Sequence, residues 1–82
     1  MEELLTILLL IDNFCKTLNY DIISFSIDGN IYKVVIETFC EKEDCVENIK
    51  SGLVEIGCRS IKLLNIETLD RRNYLITFTF RK

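Results

Sequence analysis

The sequence contains no histidine, no proline and no tryptophan, and alanine and glutamine are missing as well. Without histidine the chain lacks the side chain that most often moves protons near neutral pH, and also the commonest metal ligand. Without proline no element is broken by a missing N–H, so punctuation falls to Gly, Asn and Asp. Glycine itself is scarce, three residues in 82, and the three stand too far apart to form a phosphate-cradling loop. Alanine and proline need GC-rich codons, and their joint absence beside many Ile, Asn and Lys residues fits an AT-rich coding sequence better than a functional pressure.

Basic charge is in deficit too. Ten Lys and Arg stand against thirteen Asp and Glu, a formal net charge of −3. Neutralising a phosphate backbone needs a basic face, so nucleic acid is not expected as a partner. Long apolar runs are also missing. The stretch Leu4–Ile11 is too short to span a bilayer, and it follows an acidic Met-Glu-Glu rather than a basic leader. A cytoplasmic location without membrane association is the expectation.

What the chain does have is apolar residues, 49% of the total. Disorder is excluded, because burial of that much apolar surface offsets the entropy of ordering. Residues 1–82 read as one domain near the lower size limit for a single core. So apolar a composition in so short a chain points to surface buried against a second chain.

Apolar residues Leu4, Ile7, Leu8, Ile11, Phe14, Cys15 and Leu18 recur at helical spacing, and Asn19 is suited to the left-handed residue that closes a helix. Tyr20–Asp28 alternates as a strand, with Ile23, Phe25 and Ile27 expected on its buried face. Asp28-Gly29-Asn30 is turn chemistry, so a hairpin follows. A second helix is expected over Glu41–Gly57, with Val46, Ile49, Leu53 and Ile56 inward and Gly57 as its cap. Ser60–Leu69 reads as a strand with a bulge, and Asp70–Asn73 turns into a last strand.

The order is αββαββ, an αββ unit written twice, in halves of roughly 1–39 and 40–82. The runs Asn30–Phe39 and Asn73–Lys82 are its two most similar pieces. An α+β two-layer sandwich is expected, with a four-stranded antiparallel sheet and both helices on one face. The similar runs then form the central pair, related by a pseudo-twofold. This arrangement is the ferredoxin-like sandwich in circular permutation. The helix side of the pair carries Tyr32, Val34, Ile36, Tyr74, Ile76, Phe78 and Phe80; the open side carries Lys33, Val35, Glu37, Phe39, Leu75, Thr77, Thr79 and Arg81.

Candidate chemistry is thin. Cys40-x4-Cys45 is not zinc-finger spacing, and no histidine completes a mixed site, so neither metal nor cofactor is expected. Burial is the ordinary fate of a free cysteine. The topology puts Cys15, Cys40 and Cys45 at one end of the sandwich and Cys58 at the other. A bridge needs Cα atoms within ~7 Å, so one intramolecular disulfide would join Cys15 to Cys40 or Cys45 and leave Cys58 free. Cys45 stands among Glu41, Glu43, Asp44 and Glu47, which oppose a reactive thiolate. No catalytic constellation is visible.

The expected function is a small non-enzymatic interaction or regulatory module acting as a homodimer. Its candidate surfaces are Leu5, Leu9 and Leu10 on the first helix, and Val35, Phe39 and Leu75, with Ile22 and Leu63, on the open sheet face. The sheet edges offer a further route. Single-stranded nucleic-acid binding is the first alternative and needs Arg71, Arg72, Arg81 and Lys82 to converge with Lys33 and Phe39. Small-ligand sensing at a dimer interface is the second, on fold analogy.

Overall fold

The computed structural model describes residues 2–82, with side chains from Leu4 onward. Its elements are α1 (Glu2–Thr17), β1 (Asp21–Asp28), β2 (Ile31–Thr38), α2 (Lys42–Glu55), β3 (Arg59–Asp70) and β4 (Asn73–Arg81). The four strands form one antiparallel sheet in the order β1-β2-β4-β3. The two β-rich runs are therefore the central pair, as their sequence implied.

Both helices end by the same device. Asn19 takes φ 61°, the Tyr20 N–H donates to the Cys15 carbonyl at 2.8 Å and the Asn19 N–H donates to that of Lys16. At the end of α2, Gly57 takes φ 91°, with Cys58 donating to Leu53 and Gly57 to Val54. These paired bonds satisfy carbonyls that a helix end leaves orphaned. The turn after each helix then sends the chain straight into an edge strand.

One face of the sheet is covered. Tyr32, Val34 and Ile36 of β2 and Ile76, Phe78 and Phe80 of β4 are buried with Ile7, Ile11 and Cys15 of α1 and Cys45, Ile49 and Leu53 of α2. Phe25, Tyr32 and Phe80 stack across the three adjacent strands β1, β2 and β4, with ring centroids 6.0 and 5.4 Å apart. Between the helices, the Phe14 ring lies over Gly52, where an added Cβ would meet three ring carbons at 2.8 to 2.9 Å. Gly52→Val is therefore expected to destabilise the fold by about 2 kcal/mol through overpacking, despite a helix-propensity gain of a few tenths. A lowered urea midpoint at unchanged slope is the measurement that checks it.

The edge strands depart from simple alternation. In β1 the register shifts between Ile22, opposite Ile36, and Ser24, opposite Val35. Ile23 is the extra residue and is exposed, while Ile22 packs on the core. This reverses the expected assignment of both residues, because one inserted residue inverts the side-chain parity of everything before it. Phe25 and Ile27 lie past the bulge and keep the helix side. The twelve-residue β3 has three such shifts. Leu63 stands opposite Phe78, so it belongs to the helix side and not to the open face as expected. No helix among the described residues is long and apolar enough to cross a membrane.

Candidate functional site

The antiparallel helices give the sandwich two distinct ends. At one end α1 finishes, α2 begins and β3 turns into β4, with Arg72 paired to Glu41 at 3.1 Å across the turn. Here Cys40 and Cys45 are joined in a disulfide, their Cα atoms 6.0 Å apart. The chain leaves β2 at Thr38 and enters α2 at Lys42, and this tight reversal brings the two cysteines together. The Tyr20 hydroxyl donates to Cys40 Sγ at 3.0 Å and accepts from Asn48 Nδ2 at 3.2 Å.

The expected bridge from Cys15 is corrected: Cys15 and Cys58 are both free and buried. Cys15 does lie at the end that holds Cys40 and Cys45, but it faces the core beneath them. The local pair closes a loop of five positions, and a bridge to another helix is not made. Among the described residues no group of three or more Cys, Asp or Glu could hold a metal ion.

Burial, with Asp12 and Asp21 nearby, pushes the Cys15 thiol up from its ordinary 9.0 to about 12. Burial also raises Cys58, with the Lys82 ammonium opposing. The folded chain holds both protons where the unfolded chain releases them. Their contribution to stability is therefore whole below pH 9.0 and is lost as pH rises towards the folded value. In that window stability is expected to fall by about 1.4 kcal/mol per pH unit for Cys15 alone. Urea titrations at rising pH should show this slope, and Cys15→Ala should flatten it even though the cavity lowers the starting stability.

The interface candidates separate. Leu5 and Leu9, one helical turn apart, are 57% and 54% exposed on the outer side of α1, with Leu10 beside them. Because α2 runs back alongside, its exposed Val54 lies towards the same end of the helix layer. Val35 and Leu75 are only half-exposed. By register they share the open sheet face with Ile31 and with the polar Ser24, Ser26, Asp28, Lys33, Glu37, Lys62, Asn65, Glu67, Thr77 and Thr79. That face is polar with isolated apolar residues. Phe39 is exposed just beyond the end of β2.

The basic residues separate as well. Arg71 and Arg72 occupy the β3–β4 turn at the disulfide end, whereas Arg81 ends β4 at the far end and Lys82 follows it. At that far end a cleft of about 570 Å³ is lined by Leu4, Ile27, Gly29, Asn30, Tyr32, Arg59, Arg81 and Lys82. Arg59 donates through Nε and Nη2 to the Lys82 carbonyl at 3.0 and 2.8 Å. Lys82 Nζ reaches the Ile56 carbonyl at the end of α2, at 3.5 Å.

No protein-family model, curated protein or solved structure matches this chain. The site must be read from its own residues. Sequence reasoning missed Asn30, Tyr32 and Arg59 as members of one cleft, because five separate segments deliver its lining. The only signal in the sequence was the basic pair Arg81-Lys82 after an aromatic strand, and it was grouped with the wrong arginines.

Proposed function

We propose that this chain is a cytoplasmic, non-enzymatic interaction module that works as a homodimer, joined through the outer surface of its helix layer. The observation that carries the reading is the exposure of Leu5, Leu9 and Leu10 on the side of α1 turned away from the sheet. On the same helix, one turn further on, the outer side becomes Asp12 paired with Lys16 at 3.1 Å, a solvated arrangement. The apolar patch is thus confined to the first half of α1. A twofold contact covers the same patch on both chains at once, and such closed contacts are the commonest oligomers.

The polar character of the open sheet face argues against that surface. The register shifts along β3 argue against edge pairing, since bulges interrupt the flat ladder an incoming strand needs. We further read the matched helix endings at Asn19 and Gly57 as corresponding points of an αββ repeat, arranged as a circularly permuted ferredoxin-like sandwich. Sizing with light scattering tests the dimer. A mass of two chains is expected, and a single-chain mass at high concentration would remove the proposal.

A further inference from the structure

We propose that the cleft at the β1–β2 turn binds a small organic anion, with a phosphate or carboxylate head and an apolar or ring-shaped body. Three observations meet there. The first is charge: Arg59, Arg81 and Lys82 line the cleft of a protein whose net charge is −3. Arg81 has no anionic partner among the described residues, and Arg59 is held through one edge of its guanidinium only, which leaves Nη1 unpartnered. No Asp or Glu side chain is among the lining residues, and the main-chain oxygen of Lys82, the last residue, is taken up by Arg59. Asp28, beside Ile27 in sequence, is not among the residues that line it.

The second is Tyr32. It is 6% exposed, its ring stacks on Phe80 at an interplanar angle of 8°, and its hydroxyl makes no hydrogen bond within the described residues. The ring is buried but the hydroxyl reaches the cleft, where it is free to donate to a bound acceptor in place of water. The third is local backbone. Ser60, next to Arg59, takes φ 52° where the register of β3 shifts between Arg59 and Lys62. A left-handed residue other than glycine within a strand is uncommon and occurs where a bulge re-aims a side chain. Here it accompanies the turn of Arg59 towards the chain end of β4.

These groups define the ligand. Arginine forks suit phosphate and carboxylate oxygens, and the tyrosine hydroxyl adds one directed donor. Leu4, Ile27 and the Tyr32 ring supply an apolar wall. The volume matches sites that take small organic molecules rather than bare ions. The proposal does not rest on self-association, since a single chain supplies every residue.

The test is a titration of isotope-labelled protein with phenyl phosphate, followed through backbone amide shifts. Inorganic phosphate and benzyl alcohol serve as the head alone and the body alone. The amides of Gly29, Asn30 and Arg81 are expected to move together and saturate. Phenyl phosphate should bind roughly tenfold or more tightly than either half. Arg81→Glu and Tyr32→Phe should each weaken it by about tenfold, while Arg71→Ser, at the opposite end, leaves it unchanged. Arg81 is exposed and the Tyr32 hydroxyl is unpartnered, so both variants keep the fold. The same binding in a Leu5→Lys, Leu9→Lys chain would support a site built by one chain. Shifts that fail to saturate, inorganic phosphate binding as tightly as phenyl phosphate, affinity unchanged in Arg81→Glu, or binding lost in the Leu5→Lys, Leu9→Lys chain would each overturn it.

Discussion

A chain carrying both Leu5→Lys and Leu9→Lys is expected to fold as the parent does and to have the mass of one chain. Both side chains stand outside the core, 57% and 54% exposed, and lysine matches leucine closely in helix propensity. The substitutions therefore leave the intrachain packing intact. On a twofold they place four ammonium groups where four leucines had met. Burial of a leucine is worth about 1.5–3 kcal/mol, so losing four and adding like-charge repulsion should raise the dissociation constant by well over ~100-fold. Val35→Lys with Leu75→Lys is the matched control on the open sheet face, and it should leave the mass at two chains. If the control dissociates the protein and the helix pair does not, the interface has been assigned to the wrong layer.

The second large effect concerns the core. Phe78 is 1% exposed at the centre of β4, between β2 and β3, and stands opposite Val34 and Leu63. Phe78→Ala removes the larger part of a buried ring from a sheet that cannot close around the gap. The expected loss is about 3–5 kcal/mol. A domain of this length has a total stability of roughly 4–12 kcal/mol. The variant should thus be largely unfolded near physiological temperature, or show a midpoint displaced by tens of degrees in a small-domain melt. A shift of only a few degrees would mean that α1 and α2 collapse into the space, and that the helix layer is less rigid than its packing implies.

The central strands were legible because each carries a strict two-residue period with both ladder edges paired. Tyr32, Val34 and Ile36, and Ile76, Phe78 and Phe80, fall on the helix side as their alternation requires. The helix endings were legible for the same local reason, since Asn19 and Gly57 tolerate positive φ. Ile22, Ile23 and Leu63 were not. Parity along β1 and β3 depends on where a bulge falls, and no residue type marks that position in either strand. The disulfide was half legible. Topology gathers Cys15, Cys40 and Cys45 at one end, but the choice among them turns on a reversal between Thr38 and Lys42 that has no glycine or proline to announce it. The cleft was the least legible feature. Leu4, Asn30, Tyr32, Arg59 and Arg81 are brought together only when all four strands and α1 are in place.

The strand order also governs how the molecule can assemble in time. The β1–β2 and β3–β4 pairings join neighbours in the chain, whereas the two halves of the sheet are linked only through β2 and β4. The shortest route across that seam is its Thr38–Tyr74 end, where the Thr38 hydroxyl donates to the Tyr74 carbonyl over a sequence separation of 36. Zipping must then run towards Tyr32 and Phe80, whose rings stack last and over the longest loop. Closing that seam is the entropically dear step. The hairpins can form and melt many times before it succeeds, and the cleft beside Tyr32 comes into existence only when the seam is shut.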